Sequence, residues 1–150
     1  MRRLVIAAAL AGLVAGSPVQ AEQCLDRQTL AAARVQEFGA MMMAVSLRCR
    51  AIGVDIALGY EAMLGAHQRA FAAADRHLRT FHAGQGHAFD RYTTQLGNRY
   101  GGGATDPANC RRFEHVASDL AAKPDAASLG RVALAMVAQP RLGGRVCPLP

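Results

Sequence analysis

Residues 34–53 read RVQEFGAMMMAVSLRCRAIG, and this stretch determines the predicted fold. Its apolar side chains recur at steps of three and four, the spacing that collects them on one face of an α-helix. Gly53 supplies the stop expected just beyond a helix end. We therefore predict a helix from about Asp26 to Ile52, with charged side chains such as Glu37 lying largely elsewhere. The apolar face comprises Phe38, Met41, Met42, Val45, Cys49 and Ile52.

A second long helix is predicted from Asp55, which caps it, to about His82. Its apolar seam again advances by three and four residues. Polar side chains such as Asp75 and His82 lie on the opposite side, and Gly84-Gln85-Gly86 ends the pattern. The seam contains Tyr60, Met63, Leu64, His67, Phe71, Ala74, Leu78 and Phe81.

Three shorter helices complete the predicted fold. Asp106-Pro107 is a strong start signal, since an acidic N-cap precedes a proline at the first helical position. No segment alternates in polarity as a strand does. The predicted fold class is all-α: a small disulfide-stapled helical bundle of about five helices, two long and three short. The short helices run from about His87 to Tyr100, from Pro107 to a stop before Pro124, and from Asp125 to a stop at Gln139-Pro140.

Residues 1–21 have the features of a secretory signal peptide. Arg2 and Arg3 precede a short apolar run, and small residues stand before a cut near Ala21. We predict a single helical domain over residues 22–150 and a periplasmic or secreted location. No later stretch approaches the roughly 18 apolar residues that span a bilayer, so no transmembrane segment is expected after signal removal. Loss of the leader takes two positive charges from the formal charge of +6 and leaves +4.

The four cysteines all lie beyond the predicted cleavage point, and three pairings are open to them. Their long spacings contain no Cys-x-x-Cys, which argues against a zinc knuckle or a thioredoxin-type redox pair. Two cysteines lie near the ends of the mature chain and two lie inside periodic segments. We favour Cys49–Cys110 as a cross-link between helices and Cys24–Cys147 as a tie between the termini.

Histidines are the first candidates for a binding site. None of them has a partner at i+4, the spacing that brings two imidazoles to one metal ion on a helix. His67 differs from the others because it lies in the apolar seam. It is either a core histidine bonded to a neighbouring helix, or a general base or ligand in a bundle cavity. The rest are interpreted as surface residues near a helix end. The candidate binding histidines are His67, His77, His82 and His87.

Other chemical motifs are weak. Met41, Met42 and Met43 suggest a Cu(I) site, but consecutive helical side chains point about 100° apart and cannot converge on one ion. Core packing is the simpler interpretation, and nothing in particular favours haem held by these methionines with His115. Neither a Gly-x-Ser-x-Gly motif nor a phosphate-binding loop occurs. We therefore predict no metal, no cofactor and no catalytic residue.

The third helix carries a polar stripe opposite Phe89 and Leu96. Its members Asp90, Arg91 and Asn98 are candidate binding residues. In one interpretation the stripe is a solvated face. In the other it turns inward, and Asp90 pairs with Arg91 in a network with neighbouring helices.

The positive charge comes from arginine except at Lys123. Helix faces that carry Arg69, Arg76 and Arg79 could make a weak contact with an anionic surface. A solvated helical face explains them as well. Export argues against nucleic acid as a partner.

Three short segments, Leu47-Arg48-Cys49, Asp90-Arg91-Tyr92 and Asn98-Arg99-Tyr100, carry a resemblance. Over about residues 34–110 the chain resembles small exported helical proteins of Gram-negative alphaproteobacteria. The resemblance implies a helical fold and an exported location, and it implies no activity. It also suggests that a disulfide between Cys49 and Cys110 is shared with these proteins.

The expected function is that of an exported, non-catalytic helical module that binds an unknown protein or small ligand in the periplasm. The alternative is a small periplasmic metal- or haem-binding protein, or a hydrolase, built around the His67–His87 region. One observation separates them. An enzyme of this kind requires a solvent-reachable cavity at His67, lined by Asp, Glu or Ser side chains from other helices.

Overall fold

The computed structural model describes residues 24–148, so the predicted signal peptide of residues 1–21 lies outside the described part of the chain. The described residues form six helices, and their only strand-like pairing is an isolated bridge between Leu25 and Val146. The all-α fold class is confirmed. The helices are α1 (Arg27–Ala51), α2 (Ala57–Ala66), α3 (Gln68–Phe81), α4 (Ala88–Gly101), α5 (Pro107–Ala121) and α6 (Ala126–Met136).

Helix α1 is the centre of the bundle, because each of the other five helices packs against it. A helix in this position buries side chains on several sides. The expectation that Glu37 lies off the buried face is wrong, since it is 1% exposed. Ile52 lies just beyond the helix end and is 45% exposed, which also differs from the prediction. The rest of the predicted face is buried at Phe38, Met42, Val45 and Cys49 and partly buried at Met41.

The second predicted helix is in fact two helices that meet at His67, so the bundle has six helices rather than about five. His67 ends α2 and begins α3, with a backbone φ of −110° and ψ of 16° that lie outside the helical range. The break gives the two halves different partners, because α2 packs on α5 whereas α3 packs on α1. In one straight helix, the apolar seam that contains Met63 and Leu78 would contact either α5 or α1 but not both.

Acidic N-caps begin three of the helices, whereas the predicted cap Asp55 lies one residue before Ile56, the observed N-cap of α2. Asp26, Asp106 and Asp125 each accept a hydrogen bond from the backbone N–H three residues further on, at 2.7 to 2.8 Å. These bonds satisfy donors that the first helical turn leaves without partners. Bonds from the side chain and backbone of Ser128 hold the pKa of Asp125 below its ordinary value of 3.8.

Two disulfides join Cys24 to Cys147 and Cys49 to Cys110, the pairs that the sequence analysis favours. The first ties the beginning of the described chain to its end. Beside it, the N–H of Leu25 donates to the carbonyl oxygen of Arg145 at 2.7 Å, and the N–H of Cys147 donates back to the carbonyl oxygen of Leu25 at 3.0 Å. The second disulfide is fully buried and joins the last turn of α1 to the first turn of α5.

Glu37 connects α1 to two later parts of the chain. The hydroxyl of Tyr100 donates to Oε1 of Glu37 at 2.6 Å, and the N–H of Arg141 donates to Oε2 at 2.7 Å. The guanidinium Nε of Arg99 lies 3.7 Å from Oε1. The carboxylate thus holds both the end of α4 and the C-terminal tail, which explains why a charged group is buried here.

The pKa of Asp125 leads to a pH-dependent prediction. A carboxylate whose folded-state pKa is lowered stabilises the fold above its unfolded-state pKa, and it loses that contribution as the pH falls through the folded-state value. We expect Asp125→Ala to lower the Tm at pH 7 and to have a smaller effect at an acidic pH well below 3.8, in thermal melts followed by circular dichroism. Asp119→Ala, exposed and away from a helix start, is the control. An equal Tm difference at both pH values would contradict the capping role.

A second prediction concerns Glu37. Glutamine has the same shape but offers one acceptor oxygen, so Glu37→Gln turns an amide N–H toward one of the two donors. We expect a loss of about 1.5–3 kcal/mol in the free energy of unfolding, measured with urea at pH 7. Glu61→Gln, on an exposed side of α2, should change it by less than about 0.5 kcal/mol. Equal effects of the two substitutions would contradict the conclusion that Glu37 holds α4 and the C-terminal tail to α1.

Candidate functional site

His67 is a core histidine in this structure. Its ring is 2% exposed, and Nε2 lies 2.9 Å from the carbonyl oxygen of Leu120 in α5. Because a carbonyl oxygen only accepts, Nε2 carries the proton and donates. The other nitrogen, Nδ1, is buried without a partner among the described residues. The ring therefore fastens the α2–α3 break to the end of α5.

The structure does not provide the surroundings that a hydrolase at His67 requires. A cavity of about 420 Å³ lies beside the ring, and it is lined by the chain around the break and by Pro124 and Ala126. None of the described residues that line it is Asp, Glu or Ser. A histidine acting as a base needs such a partner to orient it or to supply a nucleophile.

Two of the other histidines are less exposed than a surface interpretation implies. Nε2 of His77 lies 2.9 Å from the hydroxyl oxygen of Thr29, which joins α3 to the start of α1. The His82 ring packs near Phe81, Phe89 and Tyr92, with ring centroids 5.1 to 6.2 Å away. The prediction that His82 lies on the side opposite the apolar seam is therefore wrong. Both of its ring nitrogens are buried without a partner in the described part of the chain.

The polar stripe on α4 faces solvent. Asp90, Arg91 and Asn98 are all exposed, while the opposite side of the helix buries Phe89 and Leu96. His87 is also exposed, and its Nδ1 lies 3.5 Å from a carboxylate oxygen of Asp90. The inward-turned network between Asp90 and Arg91 does not form. His87, Asp90 and Arg91 lie near the start of α4, whereas Asn98 lies in its last turn.

The candidate residues do not assemble into a metal site. Within residues 24–148, no three His, Cys, Asp or Glu side chains come close enough to hold one ion. His115 is exposed on α5. No described helix is long and apolar enough to cross a membrane.

The predicted anionic-surface contact rests on arginines of α3, with Arg91 on the neighbouring α4. Arg79 is paired with Asp75 at 2.8 Å and lies over the Phe89 ring at 4.3 Å. Arg69, Arg76 and Arg91 are exposed. A weak contact of these arginines with an anionic surface remains a prediction.

A different feature is the best-formed candidate site: a groove that follows one side of α1. Helices α3 and α4, joined by a glycine-containing turn, both pack against α1 and leave this part of it uncovered. The space measures about 660 Å³. We call it the α1 groove. It is lined by Gln36, Gly39, Ala40, Met43, Ala44, Leu47, Tyr60, Leu64, Gln68, Phe71, Ala72, Asp75, Thr93, Leu96, Gly97 and Gly101.

Small residues explain why the groove is open. Gly39, Ala40 and Ala44 form its base on α1, and Ala72 and Gly97 lie on its two sides. Side chains this short leave space where larger ones would fill the gap. A Cβ atom at Gly39 would lie 3.1 Å from the Phe71 ring, so this glycine also permits the close approach of α3.

Large apolar side chains provide the walls. Met43 and Leu47, one turn apart on α1, are 50% and 59% exposed, which separates them from the core residues of the same helix. Tyr60 and Leu64 of α2 continue the wall. Burial raises the pKa of Tyr60 above its ordinary value of 10.0.

The sequence analysis missed this site. It treated the three methionines as core, yet Met42 is fully buried whereas Met43 lies in the groove. The available signal was a second stripe on α1, formed by Gly39 or Ala40, Met43 and Leu47 at helical spacing. A second apolar stripe beside the first indicates a helix with partners on more than one side.

Comparison of the chain with protein-family models, with curated proteins and with solved structures finds no match.

The bonding of His67 leads to a third prediction. Replacing it with leucine removes the bond from Nε2 to the Leu120 carbonyl oxygen, which keeps its bond from the Lys123 N–H, at a buried site between α2 and α5. We expect His67→Leu to lower the free energy of unfolding by about 1–3 kcal/mol. The exposed His87, changed to leucine, should alter it by less than about 0.5 kcal/mol. Urea denaturation checks both, and equal values for the two variants would contradict a structural role for His67.

Proposed function

We propose that this protein is an exported, non-catalytic helical module that binds an apolar ligand in the α1 groove. The observation that carries the proposal is the groove itself. Its volume of about 660 Å³ falls within the roughly 300–1,000 Å³ typical of small-molecule sites. Its lining is mainly apolar, with a few polar groups, as in such sites generally.

The exposed apolar surface supports a binding role. Leaving Met43 and Leu47 half exposed forgoes burial worth roughly 25 cal/mol per Å² of apolar area. Single exposed apolar residues are common, but here they adjoin Leu64, Phe71 and Tyr60 in one concave surface. Contiguous apolar surfaces of this kind mark binding sites in many proteins.

The chemistry of the lining favours binding over catalysis. Asp75 and Tyr60 are the ionisable side chains among the described residues of the groove, which include no His, Cys or Ser. Asp75 is bound to Arg79, and the pKa of Tyr60 is raised. Neither group is activated as a nucleophile or paired with a general base.

An exported location is part of the same proposal. Both disulfides support it, because such bonds persist in oxidising compartments and are rare in the cytosol. The signal-peptide features of residues 1–21 point the same way.

Two adjacent alanines of α3 provide a matched test. Ala72 lines the groove, whereas Ala73 is exposed on the helix and does not. We expect N-phenyl-1-naphthylamine, an uncharged fluorophore, to bind wild type at one site. Ala72→Leu should weaken its affinity by at least about tenfold by filling the groove, and Ala73→Leu by less than about twofold.

Fluorescence titration measures both variants, and circular dichroism checks that both keep the helical fold. The proposal fails if wild type does not bind the fluorophore, or if the two leucine variants bind it equally well.

A further inference from the structure

The α1 groove is elongated. Its lining residues on α1 extend from Gln36 to Leu47, a distance of about 16 Å at 1.5 Å per residue. The other walls follow the same direction, from Asp75 back to Tyr60 along α3 and α2. A linear apolar body fits this shape better than a compact one.

One end of the groove is polar. The bond between Thr29 and His77 and the 3.4 Å bond from the Tyr92 hydroxyl to the Ala33 carbonyl oxygen set the register of α3 and α4 on α1. Both contacts lie near the start of α1. Three polar lining residues, Gln36, Asp75 and Thr93, therefore lie toward that end, and Gln68 lies farther along.

The opposite end is apolar. In the same register, Gly39 lies beside Phe71, and the chain continues past it to Met43 and Leu47. Leu64 and Tyr60 face this end from α2. The groove thus has the polarity of an amphiphile, with space for a tail at one end and hydrogen-bonding groups at the other.

The charges at the polar end select the head of such a ligand. Asp75 lines the groove, and Nε of Arg79 donates to its Oδ2 at 2.8 Å, while Arg79 itself is not part of the lining. An anionic head would meet the carboxylate without a cation in the described lining to balance it. A cationic head would have to share the Asp75 carboxylate with the like-charged Arg79, in a protein that already has a positive net charge. An uncharged head with hydroxyl or amide groups avoids both costs.

Building on the proposed function, we propose that the α1 groove binds an uncharged amphiphile, with its linear apolar tail toward Met43 and Leu47 and its hydroxyl- or amide-bearing head at Gln36, Asp75 and Thr93. The Gln36 amide and the second oxygen of Asp75 would bond the head, and the Thr93 hydroxyl, which donates to the Asp90 carbonyl oxygen at 3.1 Å, would accept a bond from it.

Three probes that share a tail length and differ in the charge of the head group test which head the groove prefers. Decyl maltoside is uncharged with hydroxyl groups, decanoate is anionic, and decyltrimethylammonium is cationic without donors. Isothermal titration calorimetry below the critical micelle concentration should give decyl maltoside an affinity at least about fivefold higher than either charged probe.

A charge-removing variant tests Asp75 directly. Asp75→Asn removes the carboxylate and leaves Arg79 without its ion-pair partner. The affinity for decanoate should then rise by at least about fivefold relative to the affinity for decyl maltoside. Asp119→Asn removes the same charge from an exposed position on α5, outside the groove, and should leave both affinities unchanged.

The remaining outcomes contradict the inference in different ways. If a charged probe binds wild type as tightly as decyl maltoside, or if Asp75→Asn does not favour decanoate, the assignment of the head is wrong and the groove remains a ligand site. If no probe binds, the proposed function fails as well. If sedimentation shows a dimer that Ala72→Leu dissociates, the groove is occupied by a second copy of the chain instead.

Discussion

The burial of α1 is the constraint on which the rest of the structure depends. All five other helices pack against this one 25-residue helix. The other helices are shorter, from 10 to 15 residues, and isolated helices of this length are marginal in water. Helices α3, α4 and α6 are stabilised by the apolar surfaces that they cover on α1. Helices α2 and α5 pack mainly on each other and are held to α1 by smaller contacts.

This arrangement explains the positions of the polar groups in the interior. Glu37 lies on α1 where α4 and the C-terminal tail converge, and its carboxylate satisfies donors from both. The Cys49–Cys110 bond fixes the end of α1 to the start of α5. His67 allows the chain to change direction so that α2 reaches α5 while α3 remains on α1. The α1 groove is a long stretch of α1 where small side chains on the surrounding helices leave an opening.

Much of the fold could be predicted from the sequence, because its signals are local. The start of α1 at Asp26, the Asp106-Pro107 start and the cap at Asp125 depend on bonds within one helical turn. The apolar faces of α1 and α4 follow from helical spacing. What could not be predicted depends on contacts between helices. The periodicity continues through His67, so the break is visible only once α5 supplies the Leu120 carbonyl oxygen.

The candidate site was harder to predict for the same reason. A charged residue such as Glu37 is expected at the surface unless its distant partners, Tyr100 and Arg141, are known. Met43 differs from Met42 only by a rotation of about 100° around α1, and which of them is covered depends on where α3 and α4 lie. The predicted sites at the histidines and on α4 relied on residue type alone. The α1 groove arises from small residues, which carry no chemical signature.

The central claim is that a ligand binds between α3 and α4 over α1, and the methyl groups of methionine test it most directly. In a protein labelled at the methionine methyl carbons, titration with decyl maltoside is followed by NMR. The account predicts that the Met43 signal shifts most and saturates, while the signals of the fully buried Met42 and Met63 move little. A largest shift at Met136 on α6, or similar shifts at all of the methionines, would contradict it.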